Sequence, residues 1–303
     1  MDGKANVQTQ ILNIDNDRIR VGVWPGETTS TPLLLMNGIG GSIELLRPFA
    51  EQLKGTEVIA FDVPGTGGSS TRILPYRLPG LAKLVARMIA QLGYEQVDVL
   101  GVSWGGALAQ QFARDFPKRC RRLILAATST GLFAVPGDPI ALLMLMHSGR
   151  LNDPEYMATH AGRIYGGVFR SNPEYARHHI GEIMPARTVG YIWQLFAIWG
   201  WTSVHWLFQL KQPTLIMVGS DDPLVPPVNG RIMRLLIPDS RLAVLDCGHL
   251  FLLTQAELVA PVVKGFLAGN LHEDLDAGRR PDGVQRFLRR QDGLKLAPPE
   301  SGR

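Results

Sequence analysis

Cysteine is scarce in this chain: Cys120 and Cys247 are the only two among 303 residues. They supply neither a disulfide framework nor the paired spacing of a metal-binding loop, so a reducing cytoplasm is the expected setting. Basic charge is never gathered into a long block. The net charge is +4, and Lys118-Arg119 with Arg121-Arg122 reads as solvated charge at a helix end. That argues against a nucleic-acid partner. His178 and His179 are adjacent, so they point apart on a helix, and no His-Glu-x-x-His occurs; no metal is expected. The polar start, Met1 to Asn6, has no apolar run behind it and does not read as a secretion signal. Thr188 to Leu210 contains no Lys, Arg, Asp or Glu and is long enough to span a bilayer. Gln194, Gly200, Ser203, His205 and Gln209 interrupt it, however, and Gly200 is expected to divide it into two short helices. It reads as interfacial or pocket-lining, with no transmembrane segment.

What is present is a globular composition, 45% hydrophobic and 19% charged. The length suits one large α/β domain with room for an insertion. Ile19–Trp24 alternates, while Leu33–Met36, Val58–Phe61 and Leu123–Ala127 are short apolar runs, as strands buried on both faces should be, and Val97–Leu100 reads as a further strand. Leu81, Leu84, Val85, Met88, Ile89 and Leu92 fall at helical spacing and end at Gly93. Alternating strand and helix units predict a mostly parallel sheet with helices on both faces. The alternation stops near Gly131 and resumes at Pro213, which predicts a helical cap over 131–210 inserted after the sixth strand. The core is then 1–130 and 211–270, and 271–303 reads as a charged, flexible tail.

Gly101-Val102-Ser103-Trp104-Gly105 lies between a strand-like run and the helix-like run Trp104–Phe116. Gly-x-Ser-x-Gly in that context is a nucleophile elbow. A serine hydroxyl near neutral pH needs a base, and the base an orienting carboxylate. Leu215–Val218 is followed by Gly219-Ser220-Asp221-Asp222-Pro223, and Leu242–Leu245 by Asp246-Cys247-Gly248-His249. Both loops leave strand C-terminal ends, the edge that carries Ser103. The expected set is Ser103, Asp222 and His249. Pro223 favours an extended Asp222; Asp221 reads as a turn former and Asp246 as a structural loop residue. The expected oxyanion donors are the amides of Trp104, next after the nucleophile, and Ile39, in the loop Asn37-Gly38-Ile39-Gly40-Gly41-Ser42. Asp62 ties a turn, and Cys247 reads as a small buried apolar group. Neither glycine-rich loop completes a nucleotide-phosphate motif.

From Pro32 to Ala268 the chain resembles the intracellular medium-chain-length polyhydroxyalkanoate depolymerases. The resemblance is carried by Pro32–Gly40, Glu57–Gly65, Gly101–Ala113, Tyr191–Ala197, Gly200–Leu207 and Cys247–Leu252. It implies the α/β-hydrolase fold and hydrolysis of stored polyester to 3-hydroxyalkanoic acids at a Ser103, Asp222, His249 triad. It also implies a polyester granule surface as partner and no cofactor. Serine at the elbow, where the polymerising enzymes of the same storage system carry cysteine, favours hydrolysis over chain growth. Oligomeric state stays open, a homo-oligomer included. Trp193, Phe196, Trp199, Trp201 and Trp206 crowd one uncharged stretch and are the expected substrate-contacting side chains. Two rivals remain. One is a small-molecule hydrolase of soluble esters or diketone acids, with Arg163, Arg170, Arg177 and Arg187 as candidate anchors. The other is a non-enzymatic granule-coat protein, against which an ordered Ser, Asp and His argues.

Overall fold

Four-residue strands buried on every side chain, Leu33–Met36 (β3) and Val58–Phe61 (β4), lie inside a nine-stranded sheet. The computed structural model describes residues 7–27, 31–146, 153–172, 175, 187–271, 273 and 275–276. The remaining strands are Gln8–Ile14 (β1), Asp17–Trp24 (β2), Val97–Val102 (β5), Cys120–Ala126 (β6), Thr214–Gly219 (β7), Ser240–Leu245 (β8) and Leu275–Asp276 (β9). The order is β1-β2-β4-β3-β5-β6-β7-β8-β9. The pairs β1/β2 and β2/β4 are antiparallel, and from β4 through β9 every neighbour is parallel.

Period-two alternation divides the core between the two faces of the sheet. Leu34 and Met36 pack with Leu81, Val85, Leu108 and Phe112 from the helices Leu78–Gln91 (α2) and Trp104–Asp115 (α3). Leu33 and Leu35 pack on the opposite side with Phe49 and Val259, from Ile43–Gln52 (α1) and the closing helix Ala256–Leu267. Phe112 is fully buried on α3, its ring 5.6 Å from that of Phe116. Phe112→Ala is therefore expected to cost about 3–5 kcal/mol, read by denaturant unfolding, because a rigid parallel-sheet core cannot collapse into the void.

Between β6 and β7 the chain forms the helices Pro139–Met146 (α4), Pro154–Tyr165 (α5), Val168–Ser171 (α6) and Thr188–Ile198 (α7). Gly200, at φ +73°, follows the end of α7, and the next regular piece is a single 3-10 turn at Leu207–Gln209. The uncharged stretch is thus one helix and one turn rather than two helices. At the other end, Leu275–Asp276 pairs in parallel with Ala243 and Val244 of β8. Two residues of the expected tail therefore belong to the sheet, while 277–303, the rest of that expected flexible tail, lie outside the described residues. Among the described residues no helix is long and apolar enough to cross a membrane.

Candidate active site

Strand β5 and helix α3 meet so closely that side chains at the junction are excluded. A Cβ on Gly101 would lie 2.3 Å from Gly105 O, and one on Gly105 2.1 Å from Met36 O. Between them Ser103 takes φ 54°, ψ −120°, a conformation that costs a non-glycine residue roughly 1–3 kcal/mol. Its main chain is held on both sides. Ser103 N–H donates to Ala126 O at 2.9 Å, and its carbonyl accepts Gly106 N–H at 2.9 Å and the Thr128 hydroxyl at 2.7 Å. The half-buried Ser103 side chain lines a cavity.

Asp222 and His249, both buried, leave the ends of β7 and β8 at the same sheet edge. Asp222 Oδ1 accepts the Leu224 and Val225 amides, each at 2.9 Å, and Oδ2 lies 2.7 Å from His249 Nδ1. A carboxylate can only accept, so Nδ1 is the donor of this bond, the tautomer that in a neutral imidazole leaves the lone pair on Nε2. Asp246 instead accepts the Ser220 hydroxyl at 3.1 Å in an exposed position. Among the described residues no hydrogen bond links the Ser103 hydroxyl to His249; contacts of this kind commonly tighten only once substrate is bound.

Asp221 does more than form a turn. It accepts Arg170 Nε at 2.8 Å, Arg170 Nη2 at 3.0 Å and Gly167 N–H at 2.7 Å. The Arg170 guanidinium holds its carboxyl below the usual range. The adjoining Tyr165 carbonyl accepts His249 N–H at 2.7 Å, and the Tyr165 ring stacks on the imidazole with centroids 6.2 Å apart. Gly166, at φ +65°, has no room for a side chain, since a Cβ would fall 1.9 Å from Asp221 O. Sequence reasoning overlooked Tyr165 and Thr128, and it named Arg170 only as a candidate substrate anchor, not as the partner of Asp221. Thr128 alone left a signal, a hydroxyl two residues past a strand at the reactive edge.

Asn37 shapes the glycine-rich loop. Its Oδ1 accepts Gly38 N–H at 3.0 Å and its Nδ2 donates to Ser42 O at 2.5 Å. Ile39 and Trp104 both line the Ser103 cavity, which is about 250 Å³ and is also lined by Leu142, Leu145, Leu195 and Ile198. Asp62 ties its turn as expected, accepting Ile43 N–H at 2.8 Å and Gly68 N–H at 2.9 Å. Burial pushes the Cys120 and Cys247 thiols up, which leaves both as inert packing groups.

Of the five expected substrate aromatics, Trp201 lines the cavity, its indole N–H donating to Gln111 Oε1 at 2.8 Å. The rest are used elsewhere. Trp206 is buried under the Arg114 guanidinium, and Trp193 donates to Arg72 O at 3.1 Å. Phe196 lies 4.1 Å beneath Arg77, and Trp199 is 71% exposed. Helical periodicity explains the division: Leu195 and Ile198 take the cavity side of α7, which turns Trp193 and Phe196 toward the Arg72–Arg77 segment. The candidate arginine anchors are also engaged away from the cavity. Arg163 pairs with Asp138, Arg170 with Asp221, and Arg187 donates to Thr71. Arg177, like His178 and His179, lies outside the described residues.

Residues 31–256 match the family described as the alpha/beta hydrolase fold. A poly(3-hydroxyalkanoate) depolymerase of Ectopseudomonas oleovorans is 53% identical over 84% of this chain and 91% of its own. Among solved structures, a thermophilic esterase from Thermogutta terrifontis is 25% identical with TM-score 0.71, covering 87% of this chain and 99% of its own. A meta-cleavage product hydrolase from Pseudomonas fluorescens, 21% identical with TM-score 0.73 over 86% and 98%, shares the fold.

Proposed function

The chain belongs to the alpha/beta hydrolase family, in the branch of the poly(3-hydroxyalkanoate) depolymerases, and from that premise we propose that this ester hydrolase degrades stored medium-chain-length polyester through Ser103, His249 and Asp222. The observation that carries the reading is the Asp222–His249 bond of 2.7 Å at the sheet edge where Ser103 occupies a strained elbow beside an apolar cavity.

In this mechanism His249 Nε2 takes the Ser103 proton as Oγ attacks the ester carbonyl. The Trp104 and Ile39 amides stabilise the oxyanion. Collapse expels the 3-hydroxyl of the neighbouring repeat, which leaves with the proton held on His249. Water, deprotonated by the same nitrogen, then releases the 3-hydroxyalkanoic acid and restores Ser103. No step needs a cofactor.

A cavity of about 250 Å³ has room for one aliphatic acyl unit and excludes a polymer coil. The polymer must be met outside, and the inserted segment exposes Leu132, Phe133, Leu143, Met146, Ile192 and Trp199. Apolar area so displayed suits an interface with few hydrogen-bonding handles. On this reading 131–210 is a cap on a core of 1–130 and 211–270, which the short strand Leu275–Asp276 extends, and the protein works in the cytoplasm at the granule surface. The test is hydrolysis of emulsified medium-chain polyester beside soluble esters of graded length. Release of 3-hydroxyalkanoic acids from polymer is expected. Free turnover of short soluble esters with the polymer untouched would overturn the substrate assignment.

A further inference from the structure

We propose that Gln194 is a positioning residue that fixes the oxyanion-binding loop relative to the nucleophile, an inference resting on the serine-hydrolase reading above. Gln194 is fully buried in the middle of α7. An amide taken so far from water is costly unless its polar atoms are bonded. Of its two polar ends only Oε1 is bonded, while Nε2 makes no hydrogen bond among the described residues. The residue reaches two loops, one through its side chain and one through its main chain. Oε1 accepts Gly40 N–H at 2.8 Å, and the main-chain carbonyl accepts the Trp104 indole N–H at 2.9 Å.

The positions of those partners give the bonds their meaning. Gly40 follows Ile39, and Trp104 follows Ser103, so one residue of the inserted segment is attached beside each expected oxyanion donor. The peptide carrying the Ile39 N–H has its carbonyl, Gly38 O, held by Gly41 N–H at 3.0 Å. The next peptide has its N–H held by Gln194. Peptide units are planar, so restraining both orients the Ile39 amide before substrate arrives. Prealigned donors are what make an oxyanion site effective, and a displacement of about 1 Å can cost on the order of 10²-fold in rate. Gln194 touches no reacting atom and acts through Gly40.

The test uses a soluble p-nitrophenyl ester, so its outcome is independent of polymer binding. Gln194→Met keeps the length and removes the acceptor; kcat is expected to fall about 10- to 100-fold with KM within about threefold of wild type. Affinity for a trifluoromethyl ketone, which forms a tetrahedral adduct, should fall in parallel, while affinity for the product acid stays unchanged. Arg77→Ala is the structural control, since Arg77 donates to Phe196 O at 2.9 Å and to Trp199 O at 2.6 Å at the end of the same helix. It should lower the unfolding temperature while leaving kcat within about threefold. If Gln194→Met does not fold, Gln194→Asn, which retracts the acceptor by one methylene, carries the same expectation. Unchanged kcat in a folded variant, or equal losses in Arg77→Ala, would overturn the proposal. A wild type that neither hydrolyses the ester nor takes a phosphonate on Ser103 would overturn the hydrolase reading, and this one with it.

Discussion

Replacing Ser103 by alanine is expected to lower kcat by about 10⁵- to 10⁶-fold on polymer and soluble ester alike. The hydroxyl is the attacking atom, and the groups near it do not replace it: the Thr128 hydroxyl is tied to Ser103 O, Ser129 lines the same cavity without the elbow's geometry, and the Cys247 thiol is buried and pushed above its ordinary range. The fold should survive. Alanine meets the same φ of 54°, and among the described residues no hydrogen bond uses the lost hydroxyl, so the unfolding temperature should stay within about 3 °C. A serine-directed phosphonate should label wild type and leave Ser103→Ala unlabelled. A variant that keeps more than about one-hundredth of the rate would remove Ser103 from the mechanism.

The second large effect concerns Asp222. Asp222→Asn preserves size and can still accept the Leu224 and Val225 amides, both 2.9 Å from Oδ1. Turned toward His249, however, its NH₂ donates where the carboxylate accepted. Nδ1 must then become the acceptor and Nε2 the protonated nitrogen, so the base is lost. The expected fall in kcat is about 10⁴-fold, with KM nearly unchanged. Asp246→Asn should stay within about twofold, because Asp246 is exposed and bonded to Ser220. Steady-state kinetics on both variants decides between the two loops. Comparable losses in the two would mean that the carboxylate was wrongly assigned.

Much of this arrangement was legible in the residues. Parallel strands covered on both faces must be short and wholly apolar, so β3, β4 and β7 stood out, and the loops after strands could be aligned on one edge without coordinates. The edges of the sheet were less visible. Gln8–Ile14 is exposed at five of its seven positions, so its alternation is mostly polar, and a two-residue strand such as Leu275–Asp276 leaves no periodic trace. The scatter of the expected aromatics has a different cause: Trp201 lines the cavity, while Trp193, Phe196 and Trp206 pack elsewhere. Composition places tryptophans in a segment, but only helix phase decides that Leu195 faces the cavity while Trp193 reaches Arg72 O. Gln194 left one faint mark, a lone amide in an otherwise apolar helix, that sequence alone read as an interruption.

The inserted helices are bonded to the Asp221 carboxylate, the His249 amide and the Gly40 amide. An engineer who wished to graft a roof from another esterase onto this sheet would strip three catalytic-edge loops of their moorings. A working chimera would have to bring its own guanidinium, carbonyl and amide to those points. Selectivity in this scaffold is therefore more safely retuned by altering individual wall residues such as Leu142 or Leu195 than by exchanging the whole segment.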